Sequence, residues 1–376
     1  MPLRLPHDLL ERSAQESSRL LALAYIEQID QARNRLGDNL DREALHDFRV
    51  GLRRLRSAMR AYRVQLEGSI DGKLRRRIRN LARATNDGRD VEVQLGWLES
   101  QAAQLGPEEI RGFYWLVGRL EDRKHRTHGR AIADVARRYD KAATRLRRSL
   151  GILRIELASG QDRRPANFRE VTGALAQQQL SQLRDDLSRI GDGSDAEQVH
   201  RTRISLKRLR YLLEPLVRRN RRAGALVRRF KEAQDILGEH HDMHILSAAV
   251  GSLGAGATAS SFPGLDPGMV AVRRFADQAA ATAFERFQST WGGEQRERIL
   301  SRADELGRAL QQPALPAQAQ PAGPTPSPSG DLLTRETAAP PSADVDGPTA
   351  QGPDPIGEPG TANTTQQLSA STNSGG

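Results

Sequence analysis

Residues 45–56 read LHDFRVGLRRLR and residues 199–210 read VHRTRISLKRLR, one unusual helix written twice at an offset of 154 positions. His46 aligns with His200, Arg49 with Arg203, Arg53 with Lys207, Arg54 with Arg208 and Arg56 with Arg210. On a helix of 3.6 residues per turn, steps of three and four residues stay on one stripe. Leu45, Phe48, Leu52, Leu55 and Met59 form such a stripe, suited to a core. His46, Arg49, Arg53, Arg56 and Arg60 form a second one, about 100° round the axis. The second copy repeats the design, with Val199, Thr202, Leu206, Leu209 and Leu213 beside His200, Arg203, Lys207 and Arg210. An ordinary solvated face mixes both signs of charge, because like charges at i,i+4 repel. These stripes carry no acid until Glu214. An all-basic stripe that appears twice therefore points to an anion that neutralises it.

Working outward, residues 7–310 read as helix nearly throughout: rich in Leu, Ala, Arg, Glu and Gln, with 3.6-residue periodicity. The spacing predicts helices near 7–36, 41–66, 70–86, 89–104 and 108–150, then 167–190, 195–221, 223–238, 240–252 and 267–310. Breaks are expected at Gly37, Gly68, the Asn86-Asp87-Gly88 turn and Gly106-Pro107. Asp41 is a candidate N-cap of the first basic helix, and Ser194-Asp195-Ala196-Glu197 reads as a capping box for the second. Pro215 should kink or end that second helix. Stretches 157–166 and 251–264 read as loose connections. Arg89-Asp90-Val91 is echoed at an offset of 152 by His241-Asp242-Met243, so the duplication outlasts the basic helix. The pattern predicts an all-α domain over 1–310, with half-repeats of about 7–156 and 166–310, each a bundle of roughly four helices. Asp90 and Asp242 are read as caps or braces.

Residues 311–376 are different in kind. They hold 12 of the 19 prolines and few large apolar residues, so they are expected to be a disordered tail. Their net charge is −5, which leaves +15 on the rest of a chain whose total is +10. A basic balance of that size favours a polyanionic partner: nucleic acid, an acidic membrane surface or polyphosphate. No apolar run approaches a membrane span, no secretory signal opens the chain, and the cytoplasm is the expected compartment. With no cysteine there are no disulfides or thiolate metal sites.

The motif of histidine, arginine three residues on and then (R/K)RLR, given twice and followed by AQDILGEHHD at 233–242, resembles the CHAD (conserved-histidine α-helical) domain family over about residues 7–305. In the first half Asn86-Asp87-Gly88 stands where the second keeps Leu237-Gly238. The resemblance implies two pseudo-symmetric helical bundles with a basic cavity or groove between them. It also implies binding of inorganic polyphosphate and association with polyphosphate granules. Members are often fused to, or encoded near, triphosphate tunnel enzymes, and no such domain fits outside the matched region here.

On that reading His46, Arg49, Arg53, Arg54, Arg56, His200, Arg203, Lys207, Arg208 and Arg210 line the site. Arginine offers a planar fork to phosphate oxygens, and lysine offers a point charge. Arg54 and Arg208 lie off the main stripe, where neighbouring helices compete for them. The two histidines either donate to phosphate, with binding that strengthens as pH falls through about 6.5, or pack as partly buried rings. Arg76, Arg79 and Arg83 in one half, and Arg228, Arg229 and Lys231 in the other, either extend the track or pair with nearby acids. Arg75, Arg77, Arg218, Arg219, Arg221 and Arg222 belong to the same two clusters, and the arginines and lysine of 137–148 could add a flank.

Rival readings stay open. Duplex DNA needs only phosphate contacts, whereas RNA and single strands favour stacking aromatics, which are 4% of this chain and absent from the stripes. His240 and His244 share a helix face as a metal pair would, and the His-Asp dipeptides at 46–47 and 241–242 are similar to those of metal-dependent phosphohydrolases. No third ligand, phosphate-binding loop or nucleophile with a base can be placed. The expectation is a non-enzymatic polyphosphate-binding protein with no cofactor and no metal.

Overall fold

The computed structural model describes residues 3–38, 41–152, 165–191, 193, 195–255 and 264–312. The side chains of 42, 86–90, 126–133 and 253–255 lie outside that description, as does the Pro-rich segment from 313 onward expected to be disordered. Among the described residues the protein is all-α, with nine helices and two short 3₁₀ turns. They are α1 (Ala14–Arg35), α2 (Arg42–Ala61), α3 (Gly72–Gln101), α4 (Ile110–Gly151), α5 (Phe168–Ser188), α6 (Ala196–Leu213), α7 (Arg221–Ala255), α8 (Asp266–Trp291) and α9 (Gly293–Gln311). All belong to one compact unit, Met1–Leu315. None of the described helices is long and apolar enough to cross a membrane.

The first basic helix starts as the sequence suggests, and the second is capped by Asp195, one residue on from the expected box at Ser194. Asp41 accepts from the backbone N–H groups of Glu43 and Ala44 at 3.0 Å each. Asp195 accepts from Gln198 N at 3.0 Å, while Ser194 lies outside the described residues. Each bond satisfies a donor that the first turn would otherwise leave bare. At its other end α6 stops at Leu213 and passes into a 3₁₀ turn over Glu214–Leu216, because Pro215 cannot continue the ladder.

Three expected boundaries are corrected. Helix α3 runs unbroken through Asn86-Asp87-Gly88. Buried Leu74, Ile78, Leu81, Val91, Leu95 and Leu98 stay in phase across the weak stretch, so packing outweighs the cost of about 1 kcal/mol for a helical glycine. Helix α7 likewise passes through Gly238, with Phe230, Ala233, Leu237 and Met243 buried on either side, and covers 251–255 of the expected loose connection. Conversely, the single helix expected over 267–310 is two. Gly292 is extended and Gly293 takes φ +50°, so the chain turns just after the buried Trp291. Asp90 and Asp242 therefore sit inside helices rather than capping them.

Helices α1 with α2, α3 with α4, α5 with α9, α6 with α7 and α7 with α8 are the main packed pairs. Between the halves α4 meets α8, α2 meets α6 and α1 meets α5. The last contact begins at the helix entries, where Ala14 N donates to Ala166 O at 3.0 Å and Phe168 N to Arg12 O at 2.9 Å. The apolar interior does not divide along the repeats. One cluster takes residues from all nine helices, including Phe48, Leu52, Leu55, Leu206 and Leu209 from the apolar stripes. A smaller one joins the far parts of α3, α4, α7 and α8 through Val91, Phe113, Met243 and Val272. Helices α2 and α6 contribute only to the larger core, which fixes their basic faces beside each other at that level.

Candidate polyanion site

The stripes of α2 and α6 meet across a fixed ionic joint. Arg54 Nε donates to Glu214 Oε2 at 2.8 Å from one side, and Arg210 Nη1 lies 3.1 Å from Glu214 Oε1 on the other. Arg210 also donates through Nε to Gln234 Oε1 at 3.0 Å, and it covers the Tyr211 ring at 4.4 Å from the centroid. Arg53 of α2 covers the same ring at 5.7 Å. Arg54 and Arg210, both expected to line the site, are thus committed to Glu214. Arg49 is anchored to α3, with Nε donating to Thr85 O at 2.6 Å and Nη1 3.6 Å from Glu92. A buried pair that loses one partner leaves an uncompensated charge. Glu214→Gln is therefore expected to lower stability by about 3 kcal/mol, read as a drop in the denaturation midpoint at unchanged m-value.

Beyond this joint cations from both helices crowd together. Lys207 is half-buried, and the guanidinium groups that act on it are Arg53, Arg203, Arg56 and Arg210, two from each helix. Burial first, and then these four cations, push its pKa down to about 7. A lysine is held near neutrality only where like charge is gathered and water is thinned. Buried nitrogen atoms make the same point: Arg203 Nε, Arg208 Nε and His200 Nδ1 are shut from solvent without a hydrogen-bond partner among the described residues. Buried donors are nearly always paired in native proteins, so such orphans call for a ligand or water.

The two motif histidines differ in setting. His46 is exposed. His200 is half-buried, its ring centroid 4.3 Å from that of His241 on α7. Burial and then Arg203 lower the pKa of His200, and burial followed by His200 lowers that of His241 to about 4. The neutral form of His200 is therefore favoured over that of a solvated imidazole, and a bound anion would act in the opposite direction. His240 is buried instead, with Nε2 3.2 Å from Gly193 O, and its ring lies 4.7 Å from that of His244. Among the described residues no group of three or more His, Cys, Asp or Glu could hold a metal ion.

The outlying clusters split. Arg56 is exposed as a residue, yet partial desolvation of its guanidinium and then Arg60, Arg83 and Arg79 hold it below its ordinary pKa. Arg208 is lowered by burial and then by Arg60. On the other half Arg229 pairs with Glu232 at 2.7 Å and Lys231 with Asp235 at 2.5 Å. Arg76 and Arg228 are exposed. Arg75 donates to the carbonyl of Met59, and Arg219 to that of Leu5 at 3.0 Å and to that of Pro6, so both serve the fold. Within 137–148, Arg145 pairs with Asp71 at 3.0 Å, and Arg138 and Arg147 pair with Asp134 and Asp30.

Sequence reasoning missed Tyr211, Gln234 and His241 as neighbours of the site. Only His241 left a signal, since the offset of 152 sets it against Arg89. The i,i+4 spacing of Arg210 and Glu214 was a local signal, but the tie from Glu214 to α2 had none, because Arg54 is 160 residues away.

An all-helical unit in which two His/Arg helix faces meet across Glu214, with Lys207 among four arginines, defines the class of this protein. The CHAD domain family model matches residues 21–251, more than half of the chain, and the chain belongs to that family. Solved structures agree in fold. The CHAD domain from the plant Ricinus communis is 20% identical with a TM-score of 0.54, over 78% of this chain and 92% of that one. PptA from Streptomyces chartreusis is 16% identical with a TM-score of 0.57, over 74% of this chain and 99% of that one. No curated protein matches the chain.

Proposed function

We propose that this protein binds inorganic polyphosphate, without catalysing its turnover, in the groove where α2 and α6 meet. The bound chain would contact Arg53, Arg56, Arg203 and Lys207, with Arg208 and the motif histidines beside them. The observation that carries this reading is the Lys207 centre, where cations from two helices crowd one another while Glu214 is already occupied. A phosphate chain delivers about one negative charge per residue on a thin backbone, which suits inward-facing arginine forks. Membership of the CHAD family supports the same ligand. Targeting to polyphosphate granules in the cytoplasm belongs to this proposal, as does a pseudo-twofold relation between the halves.

Nucleic acid is the second reading, and the position of the cations weighs against it. At the centre itself Lys207 is half-buried and the Arg203 and Arg208 Nε atoms are shut from solvent, which favours a thin chain over the stiff backbone of a duplex there. Competition binding on the full-length chain tests this directly. Labelled long-chain polyphosphate is expected to resist equal phosphate equivalents of duplex DNA, and Arg53→Ala/Lys207→Ala should lose at least about tenfold in affinity, some 1.4 kcal/mol. Equal competition by DNA, or unchanged binding by the variant, would remove the assignment. Phosphate release with Mg²⁺ or Mn²⁺ present would convert it into a hydrolase.

A further inference from the structure

We infer that polyphosphate leaves the Lys207 centre in one direction only, across the α2–α3 face over Arg56, Arg60, Arg79 and Arg83; this rests on the binding reading above. The argument lies in how the duplication has been broken. At the offset of 154 Arg56 corresponds to Arg210 and Arg60 to Glu214; at 152 Arg79 corresponds to Lys231 and Arg83 to Asp235. Four cations in the first half thus stand against two cations and two acids in the second.

The structure turns that difference into two kinds of surface. At the corresponding positions of the second half the cations close on acids, Arg210 on Glu214 at 3.1 Å and Lys231 on Asp235 at 2.5 Å, while Arg228 stays exposed as its counterpart Arg76 does. In the first half Arg60, Arg79 and Arg83 are exposed and have no ion pair among the described residues. They are near enough to Arg56 to disfavour its charge, so the four form one patch rather than scattered side chains. Arg208 of α6, whose buried Nε has no partner and which also feels Arg60, joins the patch to the centre. A flexible polyanion follows uncompensated charge and gains little from pairs already satisfied. The cationic path therefore continues on one side and ends on the other.

A length-resolved binding experiment on the full-length protein tests this, with long-chain polyphosphate and tripolyphosphate as probes. Arg79→Gln/Arg83→Gln changes exposed positions of a long helix and should leave the fold intact, as circular dichroism will report. It is expected to weaken long-chain binding by about tenfold while leaving tripolyphosphate, short enough to stay at the centre, within about twofold. The control variant Arg229→Gln/Lys231→Gln, which removes cations already paired with Glu232 and Asp235, should leave both probes within the same about twofold. Asp235→Arg, which unpairs Lys231 and restores a cation opposite Arg83, is expected to tighten long-chain binding alone. Equal losses in the two double variants, or none in the first, would overturn the one-way path. Failure of the unaltered protein to bind either probe would instead overturn the polyphosphate reading beneath it.

Discussion

Polyphosphate affinity is expected to fall about tenfold per pH unit between pH 7 and 9, and binding at pH 8 should take up about one proton. The source is Lys207. Its pKa in the free protein is about 7, because burial and then Arg53, Arg203, Arg56 and Arg210 disfavour its charge. A phosphate seated among these groups reverses that balance and returns the ammonium towards the ordinary lysine range. Each unit of pH above 7 then adds the cost of reprotonation to binding. Calorimetry at pH 8 in two buffers of different ionisation enthalpy reads the proton directly. Lys207→Met should abolish both the uptake and the slope while retaining weakened binding through the arginines.

The same shift has a consequence for the free protein, of definite sign. Between pH 7 and the unfolded lysine value near 10.4 the folded state binds fewer protons than the unfolded one, so stability rises with pH across that window. Below pH 7 both states are charged and the full repulsion is present. Above about pH 10 the buried Tyr25, Tyr62 and Tyr139 act in the opposite sense, since burial raises each pKa and the unfolded chain ionises first. Lys207→Met should therefore raise the Tm of the unliganded protein at pH 7, and do so less at pH 9. An unchanged Tm together with a proton-free binding isotherm would show that Lys207 is solvated and normal.

The second large effect is structural and lies away from the cations. Gly112 and Gly268 face each other where the starts of α4 and α8 cross. A Cβ on Gly268 would lie 2.3 Å from Glu109 O, 2.5 Å from Phe113 N and 2.7 Å from Gly112 Cα, all of them backbone atoms. One on Gly112 would lie 2.1 Å from Leu265 O. Side chains can rotate away from such contacts, but two helix backbones cannot. Gly268→Val is expected to cost more than about 4 kcal/mol, or roughly 10 °C in Tm, by prising open the smaller core around Phe113, Met243 and Met269. The basic faces are held by the larger core, so polyphosphate affinity measured at 10 °C should stay within about threefold of the unaltered protein. Loss of binding in parallel with the melting transition would show that both cores unfold as one.

How much of this was legible beforehand depends on the distance over which each effect acts. The α2 apolar stripe of Phe48, Leu52, Leu55 and Met59 is buried as its spacing demands, and Asp41 caps where it should, while Asp195 caps one residue on from the expected Ser194. Periodicity and caps are set within a few residues. The Asn86-Asp87-Gly88 turn misled for the same reason: local propensity is weak there, and partners on other helices overrule it. The ten cations and histidines of the doubled motif were visible as a set, but not their division of labour. Arg49, Arg54 and Arg210 are tied to Thr85, Glu92, Gln234 and Glu214.

The sequence by itself determined the helical class, the doubled His/Arg motif and the excess of positive charge, because each is a property of composition or of spacing along one helix. Tertiary structure alone decided which of those charges are tied to other helices and which crowd together at Lys207. Neutralisation and desolvation act through space over a few ångströms, and residues as far apart as Arg54 and Glu214, separated by 160 positions, meet only when the chain is folded.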